Sequence, residues 1–180
     1  MEEMSAIPEE KEVVVVREAE LERETVQRRR GRDILLAIDH TPFTKNAFNW
    51  TLAHLCRLAD TLHFLHVLPG SEEELLCTSP KTKNQRVHLE AAEAWMDKLA
   101  AEAYDVTMVK TESKVVYGDP GKEICAAAAR IKPIATVLGS RGRGIVKSLL
   151  MGSVSEYCAH HCCCPVVIVP PEETEDEYDF

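Results

Sequence analysis

The sequence has no surplus of positive charge. Its formal net charge is −9 over 180 residues. That excludes a diffuse basic surface for nucleic acid, because a phosphate backbone is gripped by clustered Lys and Arg. No apolar run approaches the roughly 20 residues that cross a bilayer, so no membrane partner is expected. Met1 to Lys11 is acidic and lacks a secretory pattern, and the same acidity argues against an organelle transit peptide. There is no internal repeat. The cysteines number seven, an odd count without the spacing of a secreted disulfide scaffold. They read as reduced thiols in an intracellular protein, cytoplasmic with the nucleus as the alternative.

What remains is an ordinary globular composition, 45% apolar, enough for a real core. The chain divides into three parts. Residues 1–31 form a charged N-terminal extension. It carries one apolar cluster, Val13 to Val16, and a basic run, Gln27 to Arg32, read as a solvated linker. Residues 32–170 form an α/β domain. Residues 171–180 form an acidic tail after Pro170-Pro171.

Within the domain, apolar runs alternate with helical patterns. Ile34 to Ile38 is a continuous apolar run ending in Asp39, as suits a strand buried on both faces of a parallel sheet. Thr44 to Ala59 has helical spacing, with Ala47, Phe48, Leu52, Leu55 and Cys56 on one stripe. Leu62 to Leu68 is a second strand closed by Pro69-Gly70, and Glu72 to Lys83 a loop or short helix. Asn84 to Ala103 is a long helix with Val87, Ala91, Ala94, Trp95 and Leu99 on its inner side. Val106 to Val116 carries a third strand. Asp119 and Pro120 suit the N-cap and first position of a helix over 121–131. Ile134 to Leu138 is a fourth strand, Ser153 to His161 a helix, and Val166 to Val169 a fifth strand. Such alternation implies a parallel sheet covered by helices, with ligands at the carboxyl ends of its strands. Asp39, the Leu68-Pro69 corner and Gly139 all fall there.

The segment from Gly139 to Ser155 leaves a buried strand and ends in a helix. Its glycines let the backbone turn tightly and approach a ligand. The helix N-terminus supplies unpaired amides and partial positive charge, Ser153 and Ser155 supply hydroxyls, and Arg141, Arg143 and Lys147 supply charge. The combination suits a polyphosphate. It is not a Walker loop, because Ile145 and Val146 intrude before Lys147-Ser148. Nor is it a dinucleotide fingerprint, because it follows the fourth strand rather than the first.

The spacing Gly139-x2-Gly142-x9-Gly152-Ser153 resembles the ATP-binding signature of the universal stress protein family. The flanks agree: Val137-Leu138 before it, Val154-Ser155 after it, then Cys164 to Val169, with Asp39 ending the first strand and Leu65-His66-Val67 in the second. The resemblance spans Arg32 to Pro170 and is strongest to the plant single-domain members. It implies a three-layer, flavodoxin-like sheet of five parallel strands in the order 3-2-1-4-5, and a homodimer paired through the fifth strand. It also implies a bound adenine nucleotide, ATP with AMP or ADP as alternatives, accompanied by Mg²⁺. Asp39 would contact the ribose and Val67 the adenine edge, with Ala37 and Leu138 near the base. Gly139, Arg141, Gly142, Gly152, Ser153, Val154 and Ser155 would hold ribose and phosphates. One departure is His40-Thr41-Pro42 where the family has Gly-Ser after the aspartate. The implied role is a stress-responsive regulatory switch. The alternatives are an interaction or holdase protein that binds no nucleotide, and a weak ATPase.

Other candidates receive plainer readings. Cys158 and Cys162 share a helix face, with His161 nearly beside them. A tetrahedral zinc site needs four converging ligands, and no distant Cys or His pair stands out. The segment therefore reads as a buried or redox-sensitive thiol set, with Cys162 or Cys163 reactive if exposed. Thr41 or Thr44 is expected to cap the first helix. His63 and His66 are assigned to one face of the second strand, packed or hydrogen-bonded, and Trp50 and Trp95 to the core.

Overall fold

The computed structural model describes residues 31–70, 83–140 and 151–170. The elements run β1 (Asp33–Ile38), α1 (Pro42–His54), β2 (Thr61–Leu68), α2 (Lys83–Thr107), β3 (Lys110–Tyr117), α3 (Pro120–Ile131), β4 (Ala135–Gly139), α4 (Ser153–His161) and β5 (Val166–Val169). All strand pairs are parallel, in the order β3-β2-β1-β4-β5. This is the expected three-layer, flavodoxin-like architecture. The chain winds outward from β1 to β3, then returns to add β4 and β5 on the other side. The switch point therefore lies between β1 and β4, where ligand crevices form in such sheets.

Strand alternation explains the two cores. One face of β1 presents Ile34, Leu36 and Ile38 to α1 and α2, where they meet Phe48, Leu52, Met96 and Leu99. The opposite face presents Leu35, which joins Leu65 and Leu138 against Ile124, Ala127 and Ala128 of α3 and Cys158 of α4. Successive side chains of a strand point to opposite sides, so an uninterrupted apolar run fills both layers. No helix among the described residues is long and apolar enough to cross a membrane.

Several boundaries differ from the sequence reading. Helix α1 starts at Pro42 and ends at His54, not over 44–59. The chain leaves it because the Leu55 and Cys56 amides both turn back to the Thr51 carbonyl, and the Asp60 carboxylate claims the Arg57 amide at 3.0 Å. Helix α2 runs on to Thr107, so Val106 is helical and exposed, and β3 begins at Lys110. The stop is Met108, in the left-handed region at φ +54. No glycine marks it, so the sequence carried no punctuation there.

The inner stripe of α2 also differs. Ala92, Met96, Leu99 and Ala103 are buried, whereas Val87 is 53% exposed and Ala91 and Ala94 face solvent. Alanines define a face weakly, and Met96 sets it. Trp50 and Trp95 are half-buried and pack against the core. Asp119 caps α3 as expected, accepting from the Lys122 amide at 2.9 Å. His63 and His66, three residues apart, lie on opposite faces. His66 is buried, and its Nδ1 lies 2.7 Å from the Ile38 carbonyl. His63 reaches Asp33 at 2.7 Å.

Candidate functional site

Three strand ends border the switch point. At the end of β1, Asp39 is held by its own following turn. Its Oδ1 accepts from the Thr41 amide at 2.9 Å, the Thr41 hydroxyl at 2.5 Å and the Thr44 hydroxyl at 2.6 Å. The Thr44 hydroxyl also accepts from the Asp39 amide at 2.9 Å. These bonds converge on one carboxylate oxygen; among the described residues none reaches Oδ2. Thr41 is the N-cap residue of α1, but its side chain makes no cap bond. The capping role expected of Thr41 or Thr44 is thus replaced. Both hydroxyls fix the aspartate because its charged oxygen is the stronger acceptor.

Strand β2 supplies the neighbouring wall. Ala37 pairs with Leu65 and Ile38 with His66, so Val67 follows beside Asp39 in the same parallel register. Ala37 and Val67 are half-buried. The His40 ring meets that of His66 edge-on, with centroids 5.2 Å apart, and lies 6.3 Å from that of Trp95. On the other side, Leu138 is buried in the lower core and Gly139 ends β4 half-buried.

The two ends of the glycine segment are pinched together. The Gly152 amide donates to the Ser140 carbonyl at 2.8 Å, and the Ser140 amide donates to Val169 of β5 at 2.8 Å. Ser155 Oγ donates to the Gly139 carbonyl at 2.9 Å. Gly152 is the N-cap of α4 in an extended conformation and, lacking a side chain, leaves the helix start uncapped. Ser153 is exposed and Val154 half-buried against the lower core. The start of α4 therefore presents orphan amides and the positive end of the helix dipole. Arg141 and Gly142, with Arg143 and Lys147, lie outside the described residues.

Sequence reasoning passed over two groups. Ser140 is 5% exposed, and its Oγ has no hydrogen-bond partner among the described residues. A serine closing an apolar run was the available signal, since buried hydroxyls without partners are uncommon. Cys125, on α3, was not connected with the cysteines of α4, because nothing local joins segments so far apart.

Residues 31–170 match the model of the universal stress protein family. The chain belongs to that family. The universal stress protein A-like protein of Arabidopsis thaliana is 30% identical over 132 residues, covering 65% of this chain and 72% of that protein. The match spans 61% of the Arabidopsis thaliana universal stress protein PHOS32, and 49% and 22% of two further curated relatives. The structure of the hypothetical protein MJ0577 superposes with a TM-score of 0.67 at 25% identity, covering 79% of this chain and 98% of that one. An Arabidopsis thaliana universal stress protein family structure with AMP bound gives 0.52 at 24% identity, covering 82% of this chain and 99% of that one. These likenesses agree with the five-stranded order seen here.

Proposed function

We propose that the crevice between β1 and β4 binds an adenine nucleotide, and that binding is the regulatory input of this universal stress protein. One observation carries the reading. A carboxylate with one oxygen already fixed by Thr41 and Thr44 ends one strand; across the switch point lie an uncapped helix start and a buried Ser140 hydroxyl without a partner among the described residues. Asp39 Oδ2 is the acceptor for a ribose hydroxyl. Ala37, Val67 and Leu138 border the base. Gly139, Gly152, Ser153, Val154 and Ser155, joined by Arg141 and Gly142, hold the phosphates through amides and hydroxyls, as helix starts do for anions. A protein of this fold with AMP bound supports the ligand class. ATP is the nucleotide of choice because the segment is long enough to wrap a polyphosphate, and Mg²⁺ would accompany it. The Ser140 hydroxyl, without a partner among the described residues, fits a group that brings its own acceptors.

Ordering of the segment would shift a population of dimer states. Among the described residues, strand β5 is the sheet edge, paired only to β4, and Val166, Val167 and Ile168 remain half-buried there. That is the surface for a second copy, in a cytoplasmic protein.

Calorimetric titration of the full chain with ATP, AMP and GTP tests the reading. Saturable binding of the adenine nucleotides is expected, with amides of residues 139–155 protected from hydrogen exchange. Asp39→Ala should abolish ribose-dependent affinity, and Gly142→Val should abolish binding while the fold persists. Unchanged exchange in excess ATP, or full affinity in both variants, defeats the proposal.

A further inference from the structure

Helices α3 and α4 pack on the same face of the sheet and bring three thiols together. Cys125 comes from α3, Cys158 from α4, and Cys162 from the residue that ends α4. Their sulfurs all lie within 4.8 Å of one another, and Cys125 Sγ is 3.3 Å from Cys162 Sγ. Cys158 is buried, and the other two are half-buried. The next two cysteines go elsewhere: Cys163 is exposed, and Cys164 Sγ rests 3.1 Å from the Thr136 hydroxyl. His161 is engaged with Tyr157, through Nδ1 at 2.8 Å from its carbonyl and by ring stacking.

We propose that Cys125, Cys158 and Cys162 form a three-thiolate site for a soft d10 cation, Cu(I) or a divalent ion such as Zn(II). Metal–sulfur bonds of about 2.3 Å set three sulfurs roughly 3.8–4.0 Å apart. The sulfurs lie within 4.8 Å of one another, the Cys125–Cys162 pair at 3.3 Å, so side-chain rotations of about an ångström or less reach that spacing. The backbone that carries them is rigid, because α3 and α4 pack so closely that a Cβ on Gly121 would lie 2.6 Å from the Tyr157 ring. Sulfur-only donor sets select Cu(I) and Zn(II) over hard cations. Three thiolates complete the shell of Cu(I) and leave one position of Zn(II) for water.

Burial, reinforced by the neighbouring Cys125, pushes the Cys158 thiol up to about 12, and burial and the same neighbour raise Cys162. Cysteine binds metal as thiolate, so a bound cation displaces thiol protons to solvent, and no electrons are exchanged. A disulfide between Cys125 and Cys162 is the competing chemistry. It would leave Cys158 unused and would need an external oxidant.

The test uses the full chain, reduced and kept free of oxygen. Cd(II), Zn(II) and Cu(I) are titrated separately from competing chelators, and thiolate-to-metal charge transfer is followed in the ultraviolet. One cation per chain is expected, with proton release. Cys125→Ser, Cys158→Ser and Cys162→Ser should each weaken binding by at least the roughly tenfold to hundredfold loss typical of disturbing even an outer partner of a metal ligand. Cys56→Ser and Cys163→Ser should change nothing. The response to Cu(I) against Zn(II) names the cation. Undiminished binding in Cys125→Ser, with circular dichroism unchanged, would place the site in the Cys162 to Cys164 run and overturn the proposal. So would failure of all three cations to bind the reduced wild type.

Discussion

Ser155 Oγ donates to the Gly139 carbonyl at 2.9 Å, tying the first turn of α4 to the last residue of β4. Ser155 as a whole is buried, at 4% exposure. Ser155→Ala removes the donor and leaves a carbonyl without its partner, at a cost of about 1–3 kcal/mol. Thermal denaturation should show the loss. Below the transition, nucleotide affinity should fall as well, since the start of α4 is no longer held. A variant as stable as wild type would mean that the bond does not position the helix.

Gly121 is required by its neighbour rather than by its own backbone angles. A Cβ there would meet Tyr157 Cδ1 at 2.6 Å and Cγ at 2.9 Å, atoms at the root of a ring that cannot swing aside. Gly121→Ala should destabilise by about 1–3 kcal/mol, as overpacking of a tight core does. Adding Tyr157→Ala should recover part of that loss. Strict additivity of the two substitutions in urea denaturation would rule out the contact.

Asp60 is 3% exposed and closes the start of the domain. Its carboxylate accepts from the Arg32 amide, from the Arg32 guanidinium at 3.0 and 2.5 Å, and from the Arg57 amide. Burial alone would raise its pKa, but the bonds from Arg32 and Arg57 outweigh it and hold the carboxyl below its ordinary range. A depressed folded-state pKa stabilises fully above the unfolded value, near about 4, and that stability fades as pH falls through the folded value. Asp60→Asn should therefore cost roughly 2–3 kcal/mol at neutral pH, below a fully buried pair because Arg32 stays partly exposed. The gap from wild type should close below about pH 4. A gap that widened on acidification would contradict the sign.

Lys132 ends α3 in the left-handed region at φ +54, its amide bonded to the Ala128 carbonyl. Glycine adopts that conformation without the roughly 1 kcal/mol a β-carbon costs there. Lys132→Gly should raise the denaturation midpoint by a corresponding amount, offset in part by the greater freedom of the unfolded glycine. A clear fall in the midpoint would show that the lysine side chain contributes more than its backbone strain removes.

A continuous apolar run at 34–38 and largely apolar stretches at 62–68 and 134–138 identified their strands, and Asp119-Pro120 identified the start of α3, because those signals are local. Where a boundary depended on a non-glycine left-handed residue, as at Met108, or on a distant carboxylate, as at Asp60, the pattern was silent. The order of the strands came from the family resemblance. Periodicity alone cannot say which strands lie side by side.

By itself, then, the sequence determined the alternation of strands and helices, the glycine-bearing segment after β4, and the aspartate after β1. Each is written in neighbouring residues through steric and hydrophobic preferences a few positions long. Only the tertiary structure decided that Thr41 and Thr44 serve Asp39 rather than the helix, that Met96 sets the inner face of α2, and that Cys125 meets Cys158 and Cys162. Those outcomes depend on which surfaces pack together once the two layers of helices close on the sheet, and no local pattern carries that information.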